Sequence, residues 1–273
     1  MPINKHATQL LAPVISNRRI GVYHQIIIEV GDLVRYVKPG NFIAISVGGE
    51  TSRMILRRAF AISRVSDRGT IELIVSPMGS GSKWLCALPE GARIDVVTPL
   101  GTAFGIPTEP VNALLVGGGY GSAPLFGLAE VLKNRGCRVI MALGASSAAK
   151  IYAPLEGKRS ATLLKIFTED GSAGEMGRVT DSLPQLITEH EIRVIYSCGP
   201  MAMLEALSKI AAAADIAHQC AVEEAMACGI GVCMTCVMPV KDERGEIKNL
   251  RSCIEGPVMD GESVQWHLVG KQL

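Results

Sequence analysis

The sequence has little of what would mark a nucleic-acid-binding protein or an enzyme that acts on an organic substrate. Aromatic residues make up only 4% of the 273 residues, and the formal net charge is +1. This balance provides neither a basic surface for nucleic acid nor an acidic tail. The five histidines are scattered, and no His, Glu, Ser or Cys constellation typical of a catalytic pocket is present. We therefore expect no nucleic-acid partner and no catalytic residue, with substrate chemistry carried by another polypeptide.

The sequence also lacks a segment suited to membrane insertion or secretion. Its most apolar stretch, 111–132, carries a single charge, Glu130, but it contains five glycines and Pro124 in its middle. A bilayer helix is a poor explanation, whereas a buried strand, a glycine turn and a helix account for the stretch. The N-terminus lacks the charged and then apolar order of a signal peptide. We expect a cytoplasmic protein without membrane contact.

Cysteines are concentrated near the C-terminus. Four of the eight, Cys228, Cys233, Cys236 and Cys253, follow the spacing C-x4-C-x2-C-x16-C. The first three reproduce the spacing of plant-type [2Fe–2S] ligation, in which a fourth thiolate comes later in the chain. Glycines between the first two permit positive φ and bring backbone N–H groups near the sulfurs. The pattern therefore predicts an iron–sulfur cluster.

Two other uses of these cysteines fit the sequence less well. A structural zinc site more often uses paired C-x2-C knuckles. Disulfides are not expected in a chain without a secretory signal. Cys220 lies outside the motif, and we expect it to be a buried thiol.

The hydrophobic pattern divides the chain into three regions, which makes it a multidomain α/β plus β protein. Over 1–106, β-branched runs bounded by Gly, Asp and Pro predict a closed or nearly closed antiparallel β-barrel. Over 107–216, apolar strands alternate with helical runs, which indicates a doubly wound parallel sheet. Residues 217–273 hold the cysteine motif and form a small lobe. The predicted elements include strands Gly21–Val30, Asn41–Val47, Ala59–Ser63, Thr70–Val75, Ala92–Val97, Arg138–Leu143, Ala161–Phe167 and Arg193–Ser197, and helices Leu125–Arg135 and Pro200–Ile210.

Two glycine-containing turns follow strands of the predicted parallel sheet. One is the run Gly117-Gly-Gly119-Tyr-Gly121, and the other is Cys198-Gly199-Pro200. Ligands of such sheets bind beyond the carboxyl ends of the strands, where both turns lie. A single glycine turn is a weak signal, and tight packing of the glycines and an inert core thiol at Cys198 are the alternatives.

The barrel region resembles the flavin-binding barrel of the ferredoxin–NADP reductase superfamily, with motifs at Gly40, Arg58, Gly81 and Gly101 in the same order. In that family the Arg of an Arg-x-aromatic-Ser element holds the FAD diphosphate, and the next residues meet the isoalloxazine ring. Here Ala61 stands where Ser is usual, and Ser63 would point to the same face of a strand as a substitute. The residues that this resemblance implies for FAD are Arg58, Ala59, Phe60, Ala61, Ile74, Val75, Ser76, Gly81 and Ser82.

The second region resembles the pyridine-nucleotide half of the same superfamily. There the first glycine loop bears the dinucleotide diphosphate, the Cys-Gly-Pro turn lies beside the nicotinamide, and an acidic loop follows the third strand. No 2′-phosphate site stands out, so NADH is preferred over NADPH. The residues implied for NAD(H) are Gly117, Gly118, Gly119, Gly121, Asp170, Cys198, Gly199 and Pro200.

Over essentially its whole length the chain is similar to the electron-transfer subunits of NAD-dependent dihydroorotate dehydrogenases. This resemblance implies Cys228, Cys233, Cys236 and Cys253 as the ligands of a [2Fe–2S] cluster. It also implies an FMN-containing catalytic partner subunit, two copies of each subunit in the complex, and a role in pyrimidine biosynthesis. Electrons from dihydroorotate would pass through FMN, the cluster and FAD to NAD+.

Two other functions remain open from the sequence. The first is a flavin and iron–sulfur NAD(P)H oxidoreductase subunit of a ferredoxin-linked transhydrogenase or hydrogenase, which would differ by its partner. The second is a redox or zinc regulator without flavin, supported only by Ala61. For Arg57 and Arg58, the alternative to a flavin contact is a solvated pair on a strand edge.

Overall fold

The computed structural model describes residues 4–49 and 52–270. The strands in these ranges are β1 (Thr8–Ile20), β2 (Tyr23–Glu29), β3 (Phe42–Ile45), β4 (Arg58–Ala61), β5 (Arg64–Ser66), β6 (Thr70–Val75), β7 (Arg93–Leu100), β8 (Asn112–Gly118), β9 (Arg138–Ala145), β10 (Leu163–Thr168), β11 (Glu175–Met176), β12 (Val194–Cys198), β13 (Ala217–Ala221), β14 (Val237–Lys241), β15 (Ile247–Arg251) and β16 (Val258–Asp260). The helices are α1 (Ser80–Cys86), α2 (Ala123–Asn134), α3 (Pro154–Ser160), α4 (Leu183–Glu189) and α5 (Met201–Ala213), with 3-10 turns at Gly31–Tyr36, Gly119–Ser122, Ala148–Lys150 and Trp266–Leu268.

The first sheet is antiparallel and strongly curled, with the strand order β4-β3-β7-β1-β2-β6-β5. Strands β4 and β5 are its two edges, although only residues 62 and 63 separate them in the chain. The sheet must therefore bend round until its edges nearly meet. A bulge between Val14 and Ser16 of β1 marks the bend, since bulges kink a strand and increase its twist. The predicted barrel is thus confirmed as a curled half-barrel.

The second sheet has the order β11-β10-β9-β8-β12-β13-β16, and it is parallel from β11 to β13. After β8 the chain adds β9, β10 and β11 in turn on one side of β8, and it then crosses over to add β12 and β13 on the other side. This reversal creates a switch point between β8 and β12. Gly117 of β8 is paired with Cys198 of β12, so both glycine turns leave the sheet at the same edge. The predicted doubly wound architecture is confirmed.

The C-terminal region is joined to both sheets. Strand β16 adds to the edge of the second sheet by antiparallel pairing with β13, and β14 and β15 form a hairpin. The side chains of Phe42, Ala44 and Leu100 on the half-barrel pack against Cys236 and Cys253. The division of the chain at residues 106 and 216 stays a prediction. In this structure β13 begins at Ala217 and pairs with β12 of the nucleotide sheet.

Apolar packing also joins the half-barrel to the second sheet. Tyr23 and Ile74 belong to the same buried cluster as the inner face of α2, whereas Ile43 and Ile45 fill the half-barrel itself. Within the two described ranges, no helix is long and apolar enough to cross a bilayer.

Candidate cofactor sites

The cysteine motif lies in a loop and a hairpin that rest on the outside of the half-barrel. Cys236 directly precedes β14, and one residue, Ser252, separates Cys253 from the end of β15. The hairpin brings them together, since Ser252 N donates to Cys236 O at 2.8 Å. Cys236 and Cys253 are each 1% exposed, Cys228 is half-buried and Cys233 is exposed. The motif therefore has a buried end against the protein and an open end toward solvent.

The four thiols are arranged as two pairs. Cys233 is hydrogen-bonded to Cys228, and Cys236 is hydrogen-bonded to Cys253. Hydrogen bonds from Thr235 and then Cys228 lower the pKa of Cys233 to about 6, and the bond with Cys253 lowers the pKa of Cys236. Val232 N also donates to Cys228 Sγ at 3.3 Å. In a [2Fe–2S] cluster each iron takes two protein thiolates, so paired thiols with a backbone N–H donor suit this group.

The pairing differs from the arrangement around a single ion. Among the residues that the structure describes, no group of three or more His, Cys, Asp or Glu side chains could hold one metal ion. All eight cysteines are free thiols. The assignment of the four cysteines as cluster ligands stays a prediction, and the structure places all four in one loop-and-hairpin unit.

Glycine and an ion pair shape the loop between the first two cysteines. Gly229 and Gly231 have φ of +70° and +81°, and a Cβ on Gly231 would lie 2.5 Å from Ile254 Cγ1. Arg251 Nη1 donates to Gly231 O at 2.9 Å, and Arg251 Nη2 pairs with Glu255 Oε1 at 2.6 Å. Only glycine fits the turn at Gly231, which is the role expected from the sequence. Sequence reasoning missed Arg251 and Glu255, although both flank Cys253.

The residues predicted for the FAD diphosphate meet where β4 faces the start of α1. A Cβ on Gly81 would lie 3.2 Å from Arg58 Cγ and Nε, so the arginine side chain lies directly over this glycine. Arg58 Nη1 donates to Leu56 O at 2.8 Å. Ser82 Oγ bonds to Gly79 N and O at 3.0 and 3.1 Å, so its hydroxyl caps the helix. A guanidinium held beside glycine backbone suits a phosphate group.

The other residues predicted for FAD line β4 and β6. Ala59 and Ala61 are exposed, while Phe60 is half-buried against the half-barrel core. On β6, Val75 is buried in the half-barrel and Ile74 packs in the cluster shared with α2, which leaves their backbone rather than their side chains for a ligand. Ser76 is half-buried just beyond β6.

The proposed substitute for a serine at Ala61 has a different place. Ser63 is 3% exposed, and its Oγ donates to Ala123 O at 3.1 Å. Its hydroxyl joins the half-barrel to α2 and does not lie on the exposed face of β4. Residue Ala61 thus has no neighbouring hydroxyl from Ser63, and the suggestion that Ser63 replaces the usual serine is wrong.

The two glycine turns contact each other beyond the carboxyl ends of β8 and β12. A Cβ on Gly118 would lie 2.6 Å from Pro200 Cδ, and one on Gly121 would lie 2.9 Å from Gly199 Cα. Gly119 has φ of +55°, and Gly117 approaches Ser122 too closely for a side chain. The predicted glycines, Cys198 and Pro200 are therefore brought together, and the missing side chains let the two turns pack closely at the sheet switch point. Such a glycine surface suits the diphosphate of a dinucleotide.

Three residues that sequence reasoning missed, Tyr23, Tyr120 and Glu223, lie in the region of Cys198. Tyr120 OH donates to Glu223 Oε1 at 3.3 Å, and the rings of Tyr120 and Tyr23 are 6.0 Å apart. Burial, with a smaller effect of Glu223, raises the pKa of the Cys198 thiol to about 12, so the thiol is neutral. Tyr120 lies inside the glycine motif and could have been suspected, whereas Glu223 follows β13 and gave no signal.

Asp170 follows β10 at the same edge of the sheet, in the exposed acidic loop. Its carboxylate accepts hydrogen bonds from Ser172 N and Oγ, at 3.0 and 2.5 Å, which lower its pKa. Because β9 lies between β10 and β8, Asp170 is separated from the glycine turns by two strand spacings. Its predicted contact with the nucleotide stays a prediction.

Comparison with known proteins gives one consistent result. Residues 223–265 match the family described as the iron–sulfur cluster binding domain of dihydroorotate dehydrogenase B. The dihydroorotate dehydrogenase B (NAD(+)) electron transfer subunit of Desulforamulus reducens is 33% identical over 239 residues, covering 87% of this chain and 90% of the relative. The same subunit of Listeria monocytogenes is 36% identical over 242 residues, covering 88% of this chain and 92% of the relative.

Solved structures share the fold. A chain of the NADH-dependent reduced ferredoxin-NADP oxidoreductase aligns with a TM-score of 0.84 and 27% identity, covering 94% of this chain and 91% of that chain. An Amycolatopsis cytochrome P450 reductase aligns with a TM-score of 0.61 and 24% identity over 75% of this chain and 65% of its own, which shows the fold alone. These results confirm the predicted FAD, iron–sulfur and NAD(H) cofactor classes, and the chain belongs to the family of dihydroorotate dehydrogenase B (NAD+) electron transfer subunits.

Proposed function

We propose that this chain passes electrons between NAD(H) and a dihydroorotate-oxidising FMN subunit in the cytoplasm, in a complex with two copies of each. When bound, nicotinamide exchanges electron pairs as hydride, the cluster exchanges single electrons, and FAD exchanges either. The chain binds and orients these groups. Arg58 and Gly81 hold the FAD diphosphate, the two glycine turns hold NAD(H), and the four motif cysteines hold the cluster.

The observation that carries this proposal is the position of the thiols relative to the predicted flavin strand. Phe42 and Ala44 of β3 pack against Cys236 and Cys253. On the same strand, Ala44 is paired with Ala59 of β4, and Ile43 is paired with Phe60. Since neighbouring strands lie about 4.8 Å apart, a single strand separates the buried cysteines from β4. This arrangement suits single-electron exchange between the two groups.

The open end of the cysteine motif is the proposed contact for the catalytic subunit. Ile230, Val232 and Met234 lie within three residues of Cys233 in the chain and are 39%, 76% and 52% exposed. Adjacent exposed apolar side chains are typical of a protein contact surface. A partner seated there would exclude water from the cluster and bring its own redox group close to Cys228 and Cys233.

A second candidate comes from the structural neighbour. The chain of the NADH-dependent reduced ferredoxin-NADP oxidoreductase aligns with 94% of this chain, and that enzyme uses reduced ferredoxin and NADP in place of a dihydroorotate-oxidising subunit. The electron route inside this chain would be the same. The partner therefore discriminates the two functions.

The test is a visible spectrum of the anaerobically purified chain, before and after NADH, with iron and flavin quantified. We expect flavin bands and about two irons per chain, both bleached by NADH. The purified dihydroorotate-oxidising subunit and dihydroorotate should then reduce both groups without NADH. Reduction only by a ferredoxin would favour the second candidate. A chain that binds zinc and no flavin would contradict both.

A further inference from the structure

The half-barrel and the nucleotide sheet must keep a fixed mutual orientation if they carry the two groups that exchange hydride. This requirement rests on the proposed function. The apolar contact of Tyr23 and Ile74 with the α2 side of the sheet excludes water, but apolar contacts are non-directional and permit sliding. Fixing the angle between the two units requires directional contacts across the same interface.

A two-residue segment of the half-barrel lies along α2 and supplies such contacts. Ser63 Oγ donates to Ala123 O at 3.1 Å, and Ser63 O lies 2.7 Å from the position of a Cβ on Gly127. Arg64 lies 5.9 Å from the Phe126 ring centroid, and its Nη2 pairs with Glu130 Oε1 at 3.0 Å. The contacted residues of α2 are Ala123, Phe126, Gly127 and Glu130, which recur at intervals of three and four residues. Ser63 and Arg64 therefore follow one face of the helix over two turns.

Arg64 also reaches a second helix. Its Nη1 pairs with Glu156 on α3, so one planar guanidinium holds carboxylates of two helices at once. The Arg64 side chain is 25% exposed and that of Glu156 is 32% exposed, which makes this pair less screened than a surface pair. A lysine has no such fork and could serve only one carboxylate well.

Arg64 stands close in the chain to the predicted flavin residues. It follows Ala61, the last residue of β4, by three positions, and α2 begins at Ala123, directly after the predicted dinucleotide turn. A shift of the Arg64 contact would therefore change the angle between β4 and the glycine turn. Glu72, paired with Arg64 across β5 and β6, is a third acid near the guanidinium. Glu72 Oε1 and Arg64 Nε are both buried and lack hydrogen-bond partners in the described part of the chain.

We propose that Arg64 is a positioning residue for the reaction between NAD(H) and FAD: by holding Glu130 of α2 and Glu156 of α3, it sets the nucleotide sheet at a working angle to the flavin strand. It touches neither group itself. Its effect is on the distance across which hydride moves, and the rate of that step is steeply sensitive to misplacement.

The test uses the full holo-chain with two measurements. The first is the single-turnover rate of flavin bleaching by NADH, with the NADH concentration for half-maximal rate. The second is amide hydrogen exchange in α3 and at the C-terminal end of α2. In Arg64→Ala we expect the flavin to be bleached roughly tenfold more slowly than in wild type. The NADH concentration for half-maximal rate should stay within about twofold of the wild-type value. Exchange in α3 should rise about tenfold, with flavin and iron content unchanged.

Three variants separate positioning from general damage. Arg64→Lys should give an intermediate rate, because it keeps the charge and loses the fork. The charge-swapped pair Arg64→Glu with Glu156→Arg should recover most of the rate lost in Arg64→Glu alone. Arg68→Ala removes an exposed arginine from the turn after β5 and should behave as wild type.

The outcomes decide the two proposals separately. An Arg64→Ala protein with wild-type bleaching and wild-type exchange in α3 would overturn the positioning role. A slower rate without recovery in the charge-swapped pair would overturn it as well. If NADH fails to bleach the flavin of wild type, the proposed function fails, and unchanged exchange in Arg64→Ala would then reject the interdomain role of Arg64 independently.

Discussion

His218 should make the stability of this protein fall between pH 7 and pH 5. The imidazole is 2% exposed, its Nε2 lies 2.7 Å from Ser197 Oγ, and its Nδ1 lies 3.1 Å from Ser208 Oγ. Because Ser208 Oγ donates to Leu204 O, it accepts from Nδ1–H, and Ser197 donates to Nε2. The neutral ring is thus fully satisfied, and a second proton on Nε2 would make the Ser197 oxygen the acceptor and leave the Ser197 O–H without its nitrogen acceptor.

The magnitude follows from the pKa. Burial lowers the pKa of His218 from the usual 6.5 to about 4. The folded chain therefore binds this proton less readily than the unfolded chain, so stability is full above pH 6.5 and is lost as the pH falls toward 4. Linkage gives a loss of about 2 kcal/mol between pH 7 and pH 5 from this residue. For a chain of this size the loss corresponds to about 4–8 °C in Tm.

The assay compares thermal unfolding at pH 7 and pH 5 for wild type, His218→Gln and His267→Gln, at matched flavin and iron content. His218→Gln removes the titrating group, so between pH 7 and pH 5 the Tm of this variant should fall about 4–8 °C less than the Tm of wild type. His267 is exposed and serves as the matched control. An equal Tm change in wild type and His218→Gln would refute the reasoning, because the acid sensitivity would then come from other groups.

Three further outcomes are expected. Cys236→Ser should lose most of the iron bound per chain. Cys220→Ser alters a buried thiol outside the motif and should retain its iron. Equal iron content in the two variants would contradict the ligand set. Gly118→Ala places a Cβ 2.6 Å from Pro200 Cδ and should weaken NADH binding by about tenfold or more while flavin content stays constant. Burial raises the pKa of Glu72, so Glu72 stabilises the fold at low pH and this contribution is lost as the pH rises. In Glu72→Gln the Tm should therefore change less with pH above pH 4.5 than it does in wild type. A plot of Tm against pH that runs parallel to that of wild type would refute this.

Much of the fold was predictable from local patterns. The strand over Thr70–Val75 was predicted with its observed bounds, and α2 was predicted within two residues at its start. The 13-residue strand β1 was missed. Pro13, two arginines and a bulge break its alternation, and it pairs with β7 through its first half and with β2 through its second. A strand that changes partners midway has no single repeating face.

The sequence by itself determined the cysteine spacing, the two glycine turns and the alternation of strands and helices, because each depends on residues close together in the chain. Only the tertiary structure decided which distant residues meet. Ser63 bonds to α2 across 60 positions in the chain, and the cysteine lobe packs on β3 beside the predicted flavin strand. These contacts depend on how the curled half-barrel closes and on which helix face it buries. No local pattern encodes that packing, since a polar residue such as Ser63, Arg64 or His218 has the same local signature on a surface as in an interface.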